Sequence, residues 1–252
     1  MLKLIFLFSI SLISIVKSQQ CRQLVRRPEI RELNKSQLDR FIRALTTLRN
    51  YRDQDLYAQS SAIHVNNAEY AHGVPAFLPW HRVYLRNLEL NLQKIDSSVV
   101  LPYWDWSIDA QDPERSVVFK IFGGNGKGRD KCVTDGPFAN SIMRVPNRHC
   151  LRRDFDDGNK ISSLISTEAL ELILSRSKTF DQFRKQIEGN PHGAVHMNIG
   201  GDRGDFNTMY SPNDPIFYLH HVFIDLLWFE WQERNPRLAN TYNGRANSRN
   251  VN

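Results

Sequence analysis

Cysteine is scarce in this 252-residue chain, with three residues in all, and none of them lies inside a concentration of histidine. That argues against a Cys-rich structural zinc or an iron–sulfur cluster, both of which need several thiolates together. Long apolar runs are missing as well. The N-terminal run from Leu4 to Val16, interrupted by serines, stops at Lys17 and is too short to span a bilayer, so no stable membrane anchor is expected. Its charged start at Lys3 and the small or β-branched residues Val16-Lys17-Ser18 read as an export signal over 1–18, leaving 19–252 as one large domain outside the cell. No basic stripe interleaved with aromatics is present, and the net charge of +6 falls to +4 once Lys3 and Lys17 are removed, so no nucleic-acid partner is expected. There is no heptad array, repeat or low-complexity segment. GGNGKG (123–128) lacks a preceding strand and the Lys-Ser or Lys-Thr of a phosphate loop, and reads as a flexible loop.

What the chain does have is clustered histidine. Of its eight, His64, His72 and His81 fall within eighteen residues, His192 and His196 sit in PHGAVH, and His220-His221 sits in DPIFYLHHVFID. Two groups that can each offer three imidazoles imply a binuclear metal site. Imidazole suits zinc, copper, iron and nickel. A carboxylate-bridged di-iron bundle would need two Glu-x-x-His motifs, and only Glu69 to His72 has that spacing; Gly189, Gly193 and Tyr218 stand three before His192, His196 and His221. His192 and His196 have the i, i+4 spacing of a zinc protease, but Gly193 occupies the place of the general-base glutamate. Six imidazoles in two sets of three are best matched by a pair of coppers.

Helical periodicity starts at Ser36, a candidate N-cap, with Leu38, Phe41, Ile42, Leu45 and Leu48 on one face. A second helix is predicted over 53–65, carrying His64, and Gly73 and Pro75 should return His72 from a loop. On the helix that Pro79 opens, His81, Leu85, Leu88, Leu92 and Ile95 share one stripe. Residues 107–159 read as loop. His149, beside Cys150 and with no histidine at ligand spacing, reads as a surface residue. Helices resume over 167–174 and 180–188, the latter with Thr179 and Gln182 in capping-box spacing. Asn190-Pro191 starts a short helix that stacks His192 and His196 on one face. The last helix, 215–234, is strongly apolar and should be central. Adjacent helical residues point about 100° apart, so His220 and His221 should not both face one metal. Asp225, four residues after His221, is placed to orient a neighbouring imidazole. Secretion favours pairing of cysteines, and Cys132 and Cys150 close the shortest loop, leaving Cys21 over.

HGVPAFLPWHR (72–82), LPYWDW (101–106), PHGAVHMNIGG (191–201) and NDPIFYLHHVFID (213–225) together resemble the tyrosinase family of type-3 copper proteins, in the family's order and over most of the chain. The resemblance implies a mostly α-helical fold with an antiparallel four-helix core holding a binuclear copper site, and long irregular loops. It implies two copper ions, one on His64, His72 and His81 and the other on His192, His196 and His221, with His220 beside them. Dioxygen and small phenols are the implied partners, and oxidation of o-diphenols, and more weakly of monophenols, to o-quinones is the implied reaction. A reversible dioxygen carrier of the hemocyanin type is the alternative; such carriers cover the site with a further domain, and no lid is expected after the last helix here. By the same resemblance Glu188, four before His192, and Gly193, just after it, are the positions that handle water and the phenol's proton. Gly193 has no side chain to hold that water, where strong hydroxylators often carry Asn, so weak hydroxylation of monophenols is expected. Tyr70 stands where some members have a cysteine cross-linked to the second histidine, so no thioether forms. Leu226 replaces the arginine that follows the aspartate in many members, which puts a local salt bridge in doubt.

Overall fold

The computed structural model describes residues 25–245; the expected export signal and Cys21 lie outside them. Helix α1 (Lys35–Thr47) begins at Asn34, not at Ser36 as its composition predicts. Asn34 Oδ1 accepts from Gln37 N, and Gln37 Oε1 accepts from Asn34 N, each at 2.9 Å. This reciprocal pair satisfies two N–H groups that have no partner within the helix, which Ser36 does not. Helix α2 (Leu56–Asn66) is capped by Asp55, whose carboxylate accepts from Ala58 N at 2.8 Å. The single turn α3 (Ala68–Ala71) follows, then α4 (Phe77–Gln93), with His81, Leu85, Leu88 and Leu92 buried along the expected stripe. The stretch 107–159 is less irregular than expected. Its VVFKIF run forms α5 (Val117–Phe122), because Val118, Phe119 and Phe122 find the core, and β1 (Ile142–Met143) pairs antiparallel with β2 (His149–Cys150). Helices α6 (Thr167–Arg176), α7 (Phe180–Glu188), α8 (Asn190–Gly200) and α9 (Ile216–Arg234) complete the order.

Four helices carry histidines, and the side-chain pairings give their directions. On α2 and α4, His64 meets His81, and Tyr84 Oη donates to Ser60 O at 2.9 Å, so one helix runs up as the other runs down. On α4 and α9, His81 stacks on His221, while Tyr84, three residues on, stacks on Tyr218, three residues back. On α8 and α9, His192 lies against His221 and His196 against Phe217. The core is therefore the antiparallel four-helix arrangement that puts facing side chains at one height. Every residue of α9 from Ile216 to Ile224 is buried, which explains its near-continuous apolar sequence.

The long loops are fastened to this core. Arg153 and Asp214, both wholly buried, form a two-pronged ion pair at 2.9 and 3.0 Å just before α9, and Arg153 also donates to Gly124 O. A Cβ on Gly126 would sit 1.9 Å from Lys131 O, so the glycine-rich segment is closely packed against its neighbours. Cys132 is disulfide-bonded to Cys150 of β2. Among the described residues no helix is long and apolar enough to cross a membrane.

Candidate metal centre

His64 comes from the last turn of α2, His72 from the extended residue that ends α3, and His81 from the first turns of α4. Their ring centroids lie 4.9, 5.1 and 5.5 Å apart. His192 and His196 lie edge to face one turn apart on α8, at 4.6 Å, and His221 of α9 stands 5.0 and 5.5 Å from them. Within each group the potential ligand atoms lie within 4.8 Å of one another. The two groups face each other, with His81 and His221 stacked at 4.4 Å.

Hydrogen bonds set which nitrogen is free. Five Nδ1 atoms donate to backbone carbonyls: His64 to Met209 (2.6 Å), His72 to Ala68 (3.1 Å), His81 to Phe77 (2.8 Å), His192 to Glu188 (3.1 Å) and His196 to Phe206 (2.7 Å). In a neutral imidazole this leaves Nε2 as a bare lone pair aimed inward. His64 Nε2 then sits 3.4 Å from His81 Nε2, and His196 Nε2 3.3 Å from His221 Nε2, while His192 Nε2 is buried with no partner. In the first group two lone pairs brought this close repel unless a cation lies between them; in the second His221 Nδ1 has no hydrogen-bond partner and leaves its tautomer free, and the three imidazoles, His192 Nε2 among them unpartnered, supply a donor set that fits a metal ion there too. Burial lowers the pKa of His64 to about 3 and of His196 to about 4, with neighbouring imidazoles adding to the fall, and holds His81, His192 and His221 well below the ordinary value. The rings are therefore neutral, as ligands must be.

His220 does not point away from His221 as the helical wheel implies. Its ring lies 5.4 Å from His192 and 5.1 Å from His196, since α9 is buried on every side here and α8 packs against both histidines. What separates them is protonation. His220 Nδ1 accepts the indole N–H of Trp106 at 3.1 Å, so in the neutral ring Nε2 carries the proton and has no lone pair to give. Asp225 orients no imidazole. It accepts from Arg82 Nε at 2.5 Å and Arg27 Nη1 at 3.3 Å, because the guanidinium that pairs with it comes from α4 and the N-terminal segment rather than from position 226. His149 is not a surface residue: it is buried, and its Nε2 lies 3.0 and 3.1 Å from the two oxygens of buried Asp205. The sequence shows no signal for that pairing, since the partners are 56 residues apart.

Glu188 is largely buried, which raises its pKa. One oxygen accepts from Gly73 N, next to His72, and the other from Arg184 Nη1 at 2.9 Å, so it ties the first histidine loop to the helix leading into the second set. Gly193 lines a cavity of about 150 Å³ that also reaches His64, His72, His192 and His196. A Cβ there would meet only Met197 Cε, at 3.9 Å. Tyr70 is 69% exposed, on the surface of the molecule.

Residues 54–234 match the common central domain of tyrosinase. A tyrosinase of Streptomyces antibioticus is 38% identical over 221 residues, covering 78% of this chain and 79% of that protein. Another, of Streptomyces glaucescens, is 40% identical over 183 residues, covering 66% and 65%. Among solved structures, a variant polyphenol oxidase of Thermothelomyces thermophila shares the fold with a TM-score of 0.68 at 22% identity, covering 83% of this chain and 70% of that one. A functional unit of octopus hemocyanin does so with 0.66 at 24% identity, covering 90% and 57%.

Proposed function

This chain belongs to the tyrosinase family, whose cofactors are two copper ions, and from that premise we propose that it is a phenol oxidase acting mainly on o-diphenols. His64, His72 and His81 hold one copper in this reading, and His192, His196 and His221 the other. Bound copper supplies the activation of dioxygen and the electron transfers by which an o-diphenol becomes an o-quinone and dioxygen is reduced to water. The protein supplies the rest. Backbone carbonyls hold five imidazoles in the ligand tautomer, and the aromatic rings of Phe77 and Phe217 pack against His192 and His221. A phenol ring enters the cavity beside His72 and His192, where Gly193 leaves its approach unobstructed. Glu188 keeps a second lone pair on each oxygen, enough to hold a water that takes the phenol's proton.

The observation that carries the reading is that cavity, which opens beside four of the histidines, His64, His72, His192 and His196, and so offers a small ring access to both groups. Copper-loaded protein is expected to consume dioxygen and form o-quinone when given catechol. Reversible dioxygen uptake with no quinone would assign it to the carriers instead. Export is part of the same proposal, supported by the pattern of residues 1–18 and by a disulfide, which persists in an oxidising compartment. Recovery of the protein from the medium of expressing cells, starting at or near Gln19, tests it.

A further inference from the structure

His149 and Asp205 belong to neither histidine group, and the catechol oxidation proposed above makes no direct use of them. Asp205 is 1% exposed, and both its oxygens face His149 Nε2; one also accepts from Asn213 Nδ2 at 3.2 Å. The other ring nitrogen of His149, Nδ1, lies 2.7 Å from Asn147 O. An acceptor at each nitrogen favours the protonated ring, and the hydrogen bond to Asp205 raises its pKa, while burial raises that of Asp205 as well. The pair is thus a buried, hydrogen-bonded link joining β2 to the 3-10 turn Asp205–Asn207.

That turn opens the segment 205–213, which among the described residues is the one loop that accepts from an imidazole of each set. Phe206 O accepts from His196 Nδ1, and Met209 O accepts from His64 Nδ1, so one short segment orients one imidazole of each set. Its near end is held by Asp205 and its far end by Asn213 and by the Asp214–Arg153 pair. The β2 end of the anchor is secured in turn by the disulfide from Cys150 to Cys132.

We propose that His149 and Asp205 are positioning residues that set the copper affinity of both half-sites together, by fixing the segment whose carbonyls hold His64 and His196 in the ligand tautomer. The inference rests on the assignment of those two histidines to different coppers. A residue that acts on one half-site should leave the other filled; one that acts through a shared segment should weaken both.

Holoprotein equilibrated with a graded series of EDTA, with copper per chain measured by atomic absorption and melting of the metal-free protein measured beside it, tests this. His149→Leu keeps bulk without a donor and is expected to release copper at about 10–100-fold weaker chelation, going from two to none with no plateau at one. His149→Gln, whose amide can still donate to Asp205, is expected to stay near wild type. Wild-type retention in His149→Leu with only a lowered melting temperature would make the pair merely structural, and a plateau at one copper would refute the shared effect. If His149→Leu does not fold, Asn213→Ala, which removes one donor to Asp205, should shift retention in the same direction, and no shift there overturns the proposal. His64→Ala serves as control: it should plateau at one copper, and a protein that keeps both defeats the ligand assignment rather than the role of His149.

Discussion

At the scale of single residues, protonation decides roles that spacing leaves open. His220 and His221 both reach the second group, yet the indole of Trp106 takes the lone pair of His220 Nδ1. His221→Ala is therefore expected to hold one copper per chain and His220→Ala to keep both, as metal analysis after dialysis would show. Gly193 is the second such residue. Its missing side chain leaves the cavity floor bare, and the nearest atom to an added Cβ is 3.9 Å away, so a Cβ at this position is accommodated without backbone movement. Gly193→Asn is expected to raise the ratio of tyramine hydroxylation to catechol oxidation several-fold, since its amide can hold a water next to the phenol. An unchanged ratio in steady-state assays of both substrates would remove Gly193 from the control of hydroxylation.

At the scale of elements, α4 and α9 are joined by more than histidines. Arg82 pairs with Asp225 and lies 3.8 Å over the ring of Trp228, while Arg27 bridges Asp225 to Glu89. Asp225 is 15% exposed and its guanidinium partners 20% and 35%, so solvent screens part of the attraction. Asp225→Asn is expected to lower stability by about 1 kcal/mol in chemical denaturation and to leave copper content at two per chain. Loss of copper in that variant would restore Asp225 to the role of orienting an imidazole, which the helix spacing predicts and the distances do not support.

For the whole molecule, the metal site is also a stability device. The lowered imidazole pKa values mean that, without copper, the unfolded chain binds more protons than the folded one between about pH 6.5 and the folded values near 3 and 4. Stability of the metal-free protein is therefore full above that window and falls as pH drops through it. Each such imidazole withdraws about 1.4 kcal/mol per pH unit, so melting followed from pH 7 to 5 should show a steep decline. Copper bound only to the folded state opposes this. With free copper at about 1,000 times its Kd the gain is about 4 kcal/mol for each copper, or a shift in Tm on the order of 10 °C per site, measurable by calorimetry with and without chelator.

Much of this was written into the chain itself. The apolar stripe beside His81, the i, i+4 pair on α8, the near-continuous apolar run of α9 and the cap at Thr179 are local consequences of residue order, because a helix has a fixed period and its first turn needs acceptors. Those patterns placed the helices and gathered the histidines into two groups. Other features could not be read from periodicity. The burial of His149 against Asp205, the capture of Asp225 by Arg82 and Arg27, and the tautomer of His220 each depend on partners 56 to 198 residues away. An ionisable side chain takes its protonation and its role from whichever groups share its low-dielectric surroundings, and only the packing of the helices and loops decides which those are.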